Sequence, residues 1–331
     1  MDRPLRVPIV VGCVLAFLAT TGAGMARVND PRASEASVTV VGGLNDPRDP
    51  TIVVDEFLPS AVTVRTGTEV TWQMAGPEPH SVTFVPSGSK TPPSLETDPS
   101  LLVPTPATAP FDGTGFVNSG VVPLGKDVAH FSMSFGKPGR YTYFCVVHPQ
   151  MVGTVTVTSS TSQTAAAVAR AGRAQRTKYL AEGEAAKAKL LARSPAPTKN
   201  ADGTTTYRVT MGASTPHTEI LAFAPSPKHV RQGDHITFVN DSGAPHTASF
   251  GGSLVPVNPE IDEVRQPAPG PSPQSLTGDT YLNTGWLPPK SADTTESMRT
   301  YTFDAPNPGT FSYECVLHVG SGMVGEIDVG D

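Results

Sequence analysis

Cysteine is scarce in this sequence, with three in 331 residues, at positions 13, 145 and 315. Cys13 lies in the N-terminal segment, so the body of the chain offers at most one disulfide, between Cys145 and Cys315. Long apolar runs are missing too. The clearest, residues 7–19, is short for a membrane span. Ala- and Leu-rich helical patterning occurs in one place only, residues 163–193, which argues against an all-α protein. Positive charge is in deficit: the net charge is -6, and residues 201–331 carry 6 basic against 15 acidic side chains. That balance argues against nucleic acid as a partner and suits steering toward a basic protein surface. Among the 8 histidines no two form a His-x-His pair.

Glycine and proline, by contrast, are plentiful, at 31 and 34, and they punctuate a turn-rich β protein. The length is generous for one core and sufficient for two. The chain begins Met1-Asp2-Arg3-Pro4-Leu5-Arg6, continues with the apolar run, and reaches small residues through Gly24, Met25 and Ala26. Basic, apolar and small segments in that order read as a secretory signal over residues 1–26. The expected location is outside the cytoplasm, secreted, periplasmic or at the cell envelope. An uncleaved run would instead give an N-terminal membrane association.

Self-similarity organises the rest. Pro79-His80-Ser81-Val82-Thr83-Phe84 returns as Pro245-His246-Thr247-Ala248-Ser249-Phe250, and Phe116-Val117-Asn118-Ser119-Gly120 as Tyr281-Leu282-Asn283-Thr284-Gly285. Pro138-Gly139-Arg140-Tyr141-Thr142-Tyr143-Phe144-Cys145 returns as Pro308-Gly309-Thr310-Phe311-Ser312-Tyr313-Glu314-Cys315. A period this long is a duplicated domain rather than a solenoid. Short alternating runs predict strands at 61–64, 69–74, 80–84, 131–135, 140–145 and 152–158, and at 205–211, 235–240, 246–250, 300–303, 310–315 and 324–329. Proline-rich stretches at 86–110 and 256–273 read as loops. The expected fold is all-β: two tandem Greek-key sandwiches, at 34–158 and 201–331, joined by an Ala/Lys/Arg-rich helical linker at 159–200. Its apolar stripe is thin, so that helix, about 45 Å long at about 1.5 Å per residue, reads as a solvated spacer.

Each repeat ends in a loop that gathers unusual side chains: Cys145-Val146-Val147-His148-Pro149-Gln150-Met151, and Cys315-Val316-Leu317-His318-Val319-Gly320-Ser321-Gly322-Met323. With His80 or His246 from upstream, each repeat holds two imidazoles, a thiolate and a thioether. That donor set suits copper, with a trigonal plane of nitrogen and sulfur and a weak axial thioether, and suits zinc poorly. The candidate metal ligands are His80, Cys145, His148 and Met151, and His246, Cys315, His318 and Met323. Gln150 is an alternative to Met151. Met74, Met133, Met211 and Met298 read as core filler, and His130, His217, His229 and His235 as structural or surface residues. A Cys145–Cys315 disulfide would leave the flanking His and Met pattern unexplained.

These residues resemble the cupredoxins, the blue (type 1) copper family. The first loop is similar to that of amicyanin and the second to those of plastocyanin and pseudoazurin. The resemblance implies two coppers, one per domain, and single-electron transfer with redox protein partners rather than an enzyme. Where the family often has Asn after the upstream His, this chain has Ser81 and Thr247, whose hydroxyls would brace the ligand loop. On the carrier reading, the imidazole edges of His148 and His318 should lie near the surface inside small apolar docking rims. Phe144 and Glu314 should point away from the neighbouring cysteines. The alternatives are a copper buffering or delivery protein, and a multicopper oxidase or nitrite-reductase-like enzyme. The last of these is disfavoured, because it needs a further centre built from extra histidines.

Overall fold

The computed structural model describes residues 37–330 except 87–88, 90–97, 108–109, 123–128, 227–228, 252–269, 279 and 292. The expected signal at 1–26 and much of the two proline-rich loops lie outside the described residues. In the first half run β1 (Ser37–Asp46), β2 (Asp49–Leu58), β3 (Ala61–Arg65), β4 (Glu69–Met74), β5 (Ala129–Ser134), β6 (Gly139–Phe144) and β7 (Val152–Thr158). One helix, α1 (Ala165–Leu191), follows, and then β8 (Thr205–Ser214), β9 (Thr218–Ala224), β10 (His235–Asn240), β11 (Thr300–Asp304), β12 (Gly309–Glu314) and β13 (Val324–Gly330). No helix among the described residues is long and apolar enough to cross a membrane.

Each half is a sandwich of two sheets. Its private sheet orders β3, β7, β6, Thr83–Phe84 and Val117–Asn118 in the first half, and Val230–Arg231, β13, β12, Ser249–Phe250 and Leu282–Asn283 in the second. The opposing sheets are not separate. They join into one ten-stranded sheet that passes from β11, β10, β8 and β9 directly to β2, β1, β4 and β5. The seam is an antiparallel pairing of β9 with β2, Thr218 opposite Val54, Glu219 opposite Val53 and Ile220 opposite Ile52.

Period-two burial explains most strands. In β4, Val70, Trp72 and Met74 face inward while the residues between them are more exposed. Each core centres on the same edge-to-face aromatic contact: Trp72 on Tyr143 at 5.2 Å and 77°, and Phe238 on Tyr313 at 5.0 Å and 79°. Of the labelled strands, the sequence pattern did not predict β2 and β9, which form the seam, or β1, which pairs with β2. β2 is buried at every position from Ile52 to Leu58, so it carries no apolar-polar alternation to detect.

The helix occupies the predicted segment, capped by Thr164, whose hydroxyl accepts from the N–H of Ala167 at 3.2 Å. It is not a solvated spacer. Val168, Gly172, Tyr179, Gly183 and Leu190 are buried, with Tyr179 packed on Leu44, Val54 and Leu58, and Leu190 on Ile52, Ile220 and Ala224. The helix therefore lies across the seam and touches both halves. Its polar side chains do the same: the Gln175 Oε1 accepts from the Ser60 N–H at 3.0 Å, Lys187 pairs with Asp49 at 2.6 Å, and Glu182 pairs with His217 at 2.9 Å. A thin stripe suffices because two glycines let the helix come close. A Cβ on Gly172 would stand 2.9 Å from the Leu58 carbonyl oxygen, and one on Gly183 would stand 2.4 Å from the Ile52 Cγ2.

Two predictions follow from this packing. Ala in place of Gly in an exposed helix gains about 1 kcal/mol, but Gly172→Ala should lose about 1–3 kcal/mol by overpacking, read as a lower denaturation midpoint. Glu56 is 8% exposed and shares its strand face with Val54 and Leu58. Burial, with the Asp55 charge second, pushes its carboxyl up to about 7 from 4.5. A raised carboxyl pKa costs nothing below the unfolded value and progressively destabilises the fold as pH rises toward 7. Glu56→Gln should therefore raise the melting temperature at pH 8 and leave it unchanged at pH 4.

Candidate metal centres

Strands β6 and β12 each deliver a cysteine at their C-terminal end, and the chain turns back into β7 or β13. In the first loop the Cys145 N–H donates to the Met151 carbonyl at 3.0 Å, and the Met151 N–H to that of His148 at 2.9 Å. The second loop closes in the same way, from Cys315 to Met323 at 3.0 Å. Its additional residues form a 3-10 turn, Val319–Ser321, that ends at Gly322 with φ 87°, a left-handed conformation suited to glycine. His80 and His246 arrive just before Thr83–Phe84 and Ser249–Phe250, which pair with β6 and β12.

The result is two compact donor groups, His80, Cys145 and His148, and His246, Cys315 and His318. In the first, the Cys145 Sγ lies 4.0 Å from the His80 Nδ1 and 3.7 Å from the His148 Nδ1, and the two nitrogens are 3.2 Å apart. In the second the corresponding distances are 3.7, 3.3 and 3.1 Å. A point equidistant from three such atoms lies about 2 Å from each, the length of a first-row metal bond to imidazole nitrogen or thiolate. Both cysteines are free and buried, so no disulfide joins the halves.

Surrounding groups hold these side chains in place. The Ser81 and Thr247 N–H groups donate to the two sulfurs at 3.4 and 3.3 Å. Their hydroxyls accept from the N–H groups of Val146 and Val316 at 2.9 and 3.0 Å, the bracing expected from the sequence. Sequence reasoning missed Gly43 and Gly212, which sit at bulges in β1 and β8 with φ 64° and 68°. A Cβ there would come within 1.8 Å of the His80 Nε2 and 2.6 Å of the His246 Nε2. Glycine inside a strand pattern was the available signal. Ser242 was missed too. Its hydroxyl lies 2.7 Å from the His246 Nε2, whereas the His80 Nε2 has no hydrogen-bond partner.

The centres differ electrically. Burial works against a charge on His148, but Asp55, whose Oδ1 is 4.0 Å from the His148 Nε2, and the Cys145 sulfur raise its pKa to about 10. Burial likewise works against a Cys145 thiolate, and contacts with His148 and His80 outweigh it, holding that thiol well below its usual range. In the second centre burial dominates. It pushes Cys315 up to about 11 and, with the charge of His148, His318 down to about 3. The same donor set thus sits in two different electrostatic settings, with a carboxylate and a thiol-histidine contact dominating in the first centre and burial dominating in the second.

Met151 and Met323 are fully buried within the same cores as their cysteines, whereas Gln150 is exposed. Met74, Met133 and Met211 are core residues, but Met298 is 55% exposed. The remaining histidines lie apart from both centres: His130 and His229 are exposed, His217 stacks on Tyr179, and His235 pairs with Asp304 at 2.6 Å. Glu314 lies on the wall of a cavity of about 930 Å³ with Phe250 and Tyr313. Of the two expected surface edges, that of His148 is partly exposed and that of His318 is buried. The His148 side chain is 14% exposed and the His318 side chain 9%, the latter against Glu78 of the first half.

A thiolate, two imidazoles and a buried thioether at the end of a β-sandwich define a soft-metal protein of the cupredoxin class. A model of copper binding proteins, plastocyanin/azurin family, matches residues 55–158 and 209–330, and the chain belongs to that family. The family binds copper, and the two groups, one per domain, fit two copper sites. Plastocyanin A'/A'' of Nicotiana tabacum is 28% identical over 33% of this chain and 88% of its own length. Plastocyanin A/B of Petroselinum crispum is 30% identical over the same shares, and a chloroplastic plastocyanin of Oryza sativa subsp. indica is 28% identical over 33% and 56%. A solved structure of an oxidised amicyanin mutant is 20% identical, covers 37% of this chain and 82% of its own, and has a TM-score of 0.24.

A metal-binding His usually donates its second ring N–H to a fixed acceptor, which sets the tautomer. Ser242→Ala removes that acceptor in the second centre only. It should weaken copper binding there by about 10–100-fold and leave the first centre unchanged, as read by titration against a competing chelator.

Proposed function

We propose that this chain is an electron-transfer protein with two type 1 copper sites, working outside the cytoplasm. The ligands are His80, Cys145, His148 and Met151 in the first domain, residues 34–158, and His246, Cys315, His318 and Met323 in the second, residues 201–331. Bound copper supplies a one-electron couple. The protein supplies a donor set whose geometry is held by the hydrogen bonds and packing around it. The observation that carries the reading is that each cysteine and its two imidazoles stand within 3.1–4.0 Å of one another. The loops are closed by hydrogen bonds and the glycines are pressed against the upstream imidazoles. A site held this firmly changes little when its charge changes, which favours rapid electron transfer.

Several features support the carrier over an oxidase. All eight histidines are described, four are absorbed by the two centres, and the others are dispersed. Among the described residues no further cluster of this kind occurs. Redox proteins are the partners that fit an acidic second domain, while nucleic acid does not. Export is supported by the composition of residues 1–26 and by the chloroplastic names of several relatives.

A buffering or delivery role differs in one measurable respect, since a carrier keeps its copper through repeated reduction and oxidation while a delivery protein hands it on. The test is copper stoichiometry with optical and paramagnetic spectra of the wild type, Cys145→Ser and Cys315→Ser. Wild type should bind two coppers with blue absorption, and each variant one. An undiminished blue band in either variant would remove that centre from the proposal.

A further inference from the structure

In both centres the Nδ1 of the loop histidine faces the thiolate, so the Nε2 is the outward edge, where a separate redox protein would be expected to dock. Neither edge is free. The His318 Nε2 lies 3.8 Å from the Glu78 Oε2, and Glu78 belongs to the other domain. Glu78 is itself held, its Oε1 accepting from the Ser321 hydroxyl at 2.9 Å, while Asn45 Nδ2 donates to that same hydroxyl at 3.2 Å. The ligand loop of the second centre is therefore seated in the first domain. Glu78 is also only one residue, Pro79, away from His80 in the chain. The His148 edge turns the same way, toward Asp55 on β2, and the Asp55 N–H donates to the His217 carbonyl across the seam at 3.2 Å.

The geometry points to each centre being the redox partner of the other: an electron passes between His318 and His80 through the Glu78 side chain and the Glu78-Pro79-His80 backbone. One through-space step of 3.8 Å separates the ligands of the two centres, and everything else is covalent. In that exchange one cuprous centre is oxidised and the other, cupric, is reduced. No bond breaks and no proton moves. Glu78 is a positioning residue here, and its contact with His318 also orients that ring as carboxylates do for metal-bound histidines. This inference rests on the copper reading proposed above.

The test uses the full chain loaded with two coppers. After a pulse that adds less than one electron per molecule, redistribution between the centres should be first order, with a rate that does not change as the protein is diluted. Glu78→Ala should slow it several-fold, and Glu78→Gln, which keeps the side-chain path, should restore most of the rate. In the fully oxidised protein the two paramagnetic spectra should show mutual dipolar broadening, absent in Cys145→Ser. The broadening needs no Glu78 variant, so it remains decisive if Glu78→Ala fails to fold. Redistribution that is second order in protein would overturn the inference, as would absent broadening, or an unchanged rate in Glu78→Ala, with both blue bands intact. If no blue band forms at either centre, the copper reading itself fails and this inference with it.

Discussion

The antiparallel pairing of Asp49–Leu58 with Thr218–Ala224 is the constraint on which the rest of the molecule depends. It turns two sandwiches into one body, because each gives an edge strand to a common sheet and neither keeps that edge for itself. Alternate residues along the seam then serve opposite purposes. Ile52, Val54 and Ile220 face the helix, and Val53 completes the core of the other domain. Asp55 and Glu219 turn toward the ligand loops, Glu219 receiving a hydrogen bond from Ser214 at 2.6 Å. Tethering by a helix alone would have fixed neither the distance nor the facing of the two centres.

Duplication gave the two centres the same plan, and single side chains have since made them unequal. Ser242 fixes the ring of His246, while the matching place in the first domain is Gly76, with no side chain to offer. Asp55 stands beside His148, and Leu221 occupies the equivalent register on the second domain's strand. Both exchanges act on the nitrogen that does not face the thiolate. They therefore alter ring charge and tautomer while leaving the donor triangle almost unchanged.

How much of this was legible in the sequence depended on whether a residue's role was local. Strands such as Val152–Thr158 and His235–Asn240 were readable because one face is buried and the other is not. The Cys-to-Met loops were readable because their chemistry lies within one short segment. What the sequence hid were features defined by two distant segments at once. β2 has no alternation because a helix covers its outer face, and Glu78 gives no sign that its neighbour is His318. Gly172 and Gly183 read as weak points in a helix until the sheet beneath them is in view.

The seam also has a consequence for how the chain comes into being. The first sandwich is synthesised with β2 as a bare edge, its row of backbone donors and acceptors waiting for a strand that lies more than a hundred and fifty residues further on. Such an edge invites pairing with any other nascent chain. The segment that emerges next is the helix with its lead-in, where Gln163, just before the cap, binds Thr63 and Gln175 binds Ser60 of that first sandwich. It can settle over the apolar face of β2 before β9 exists. The helix thus covers the face of β2, while its edge is closed only by the strand from the second half.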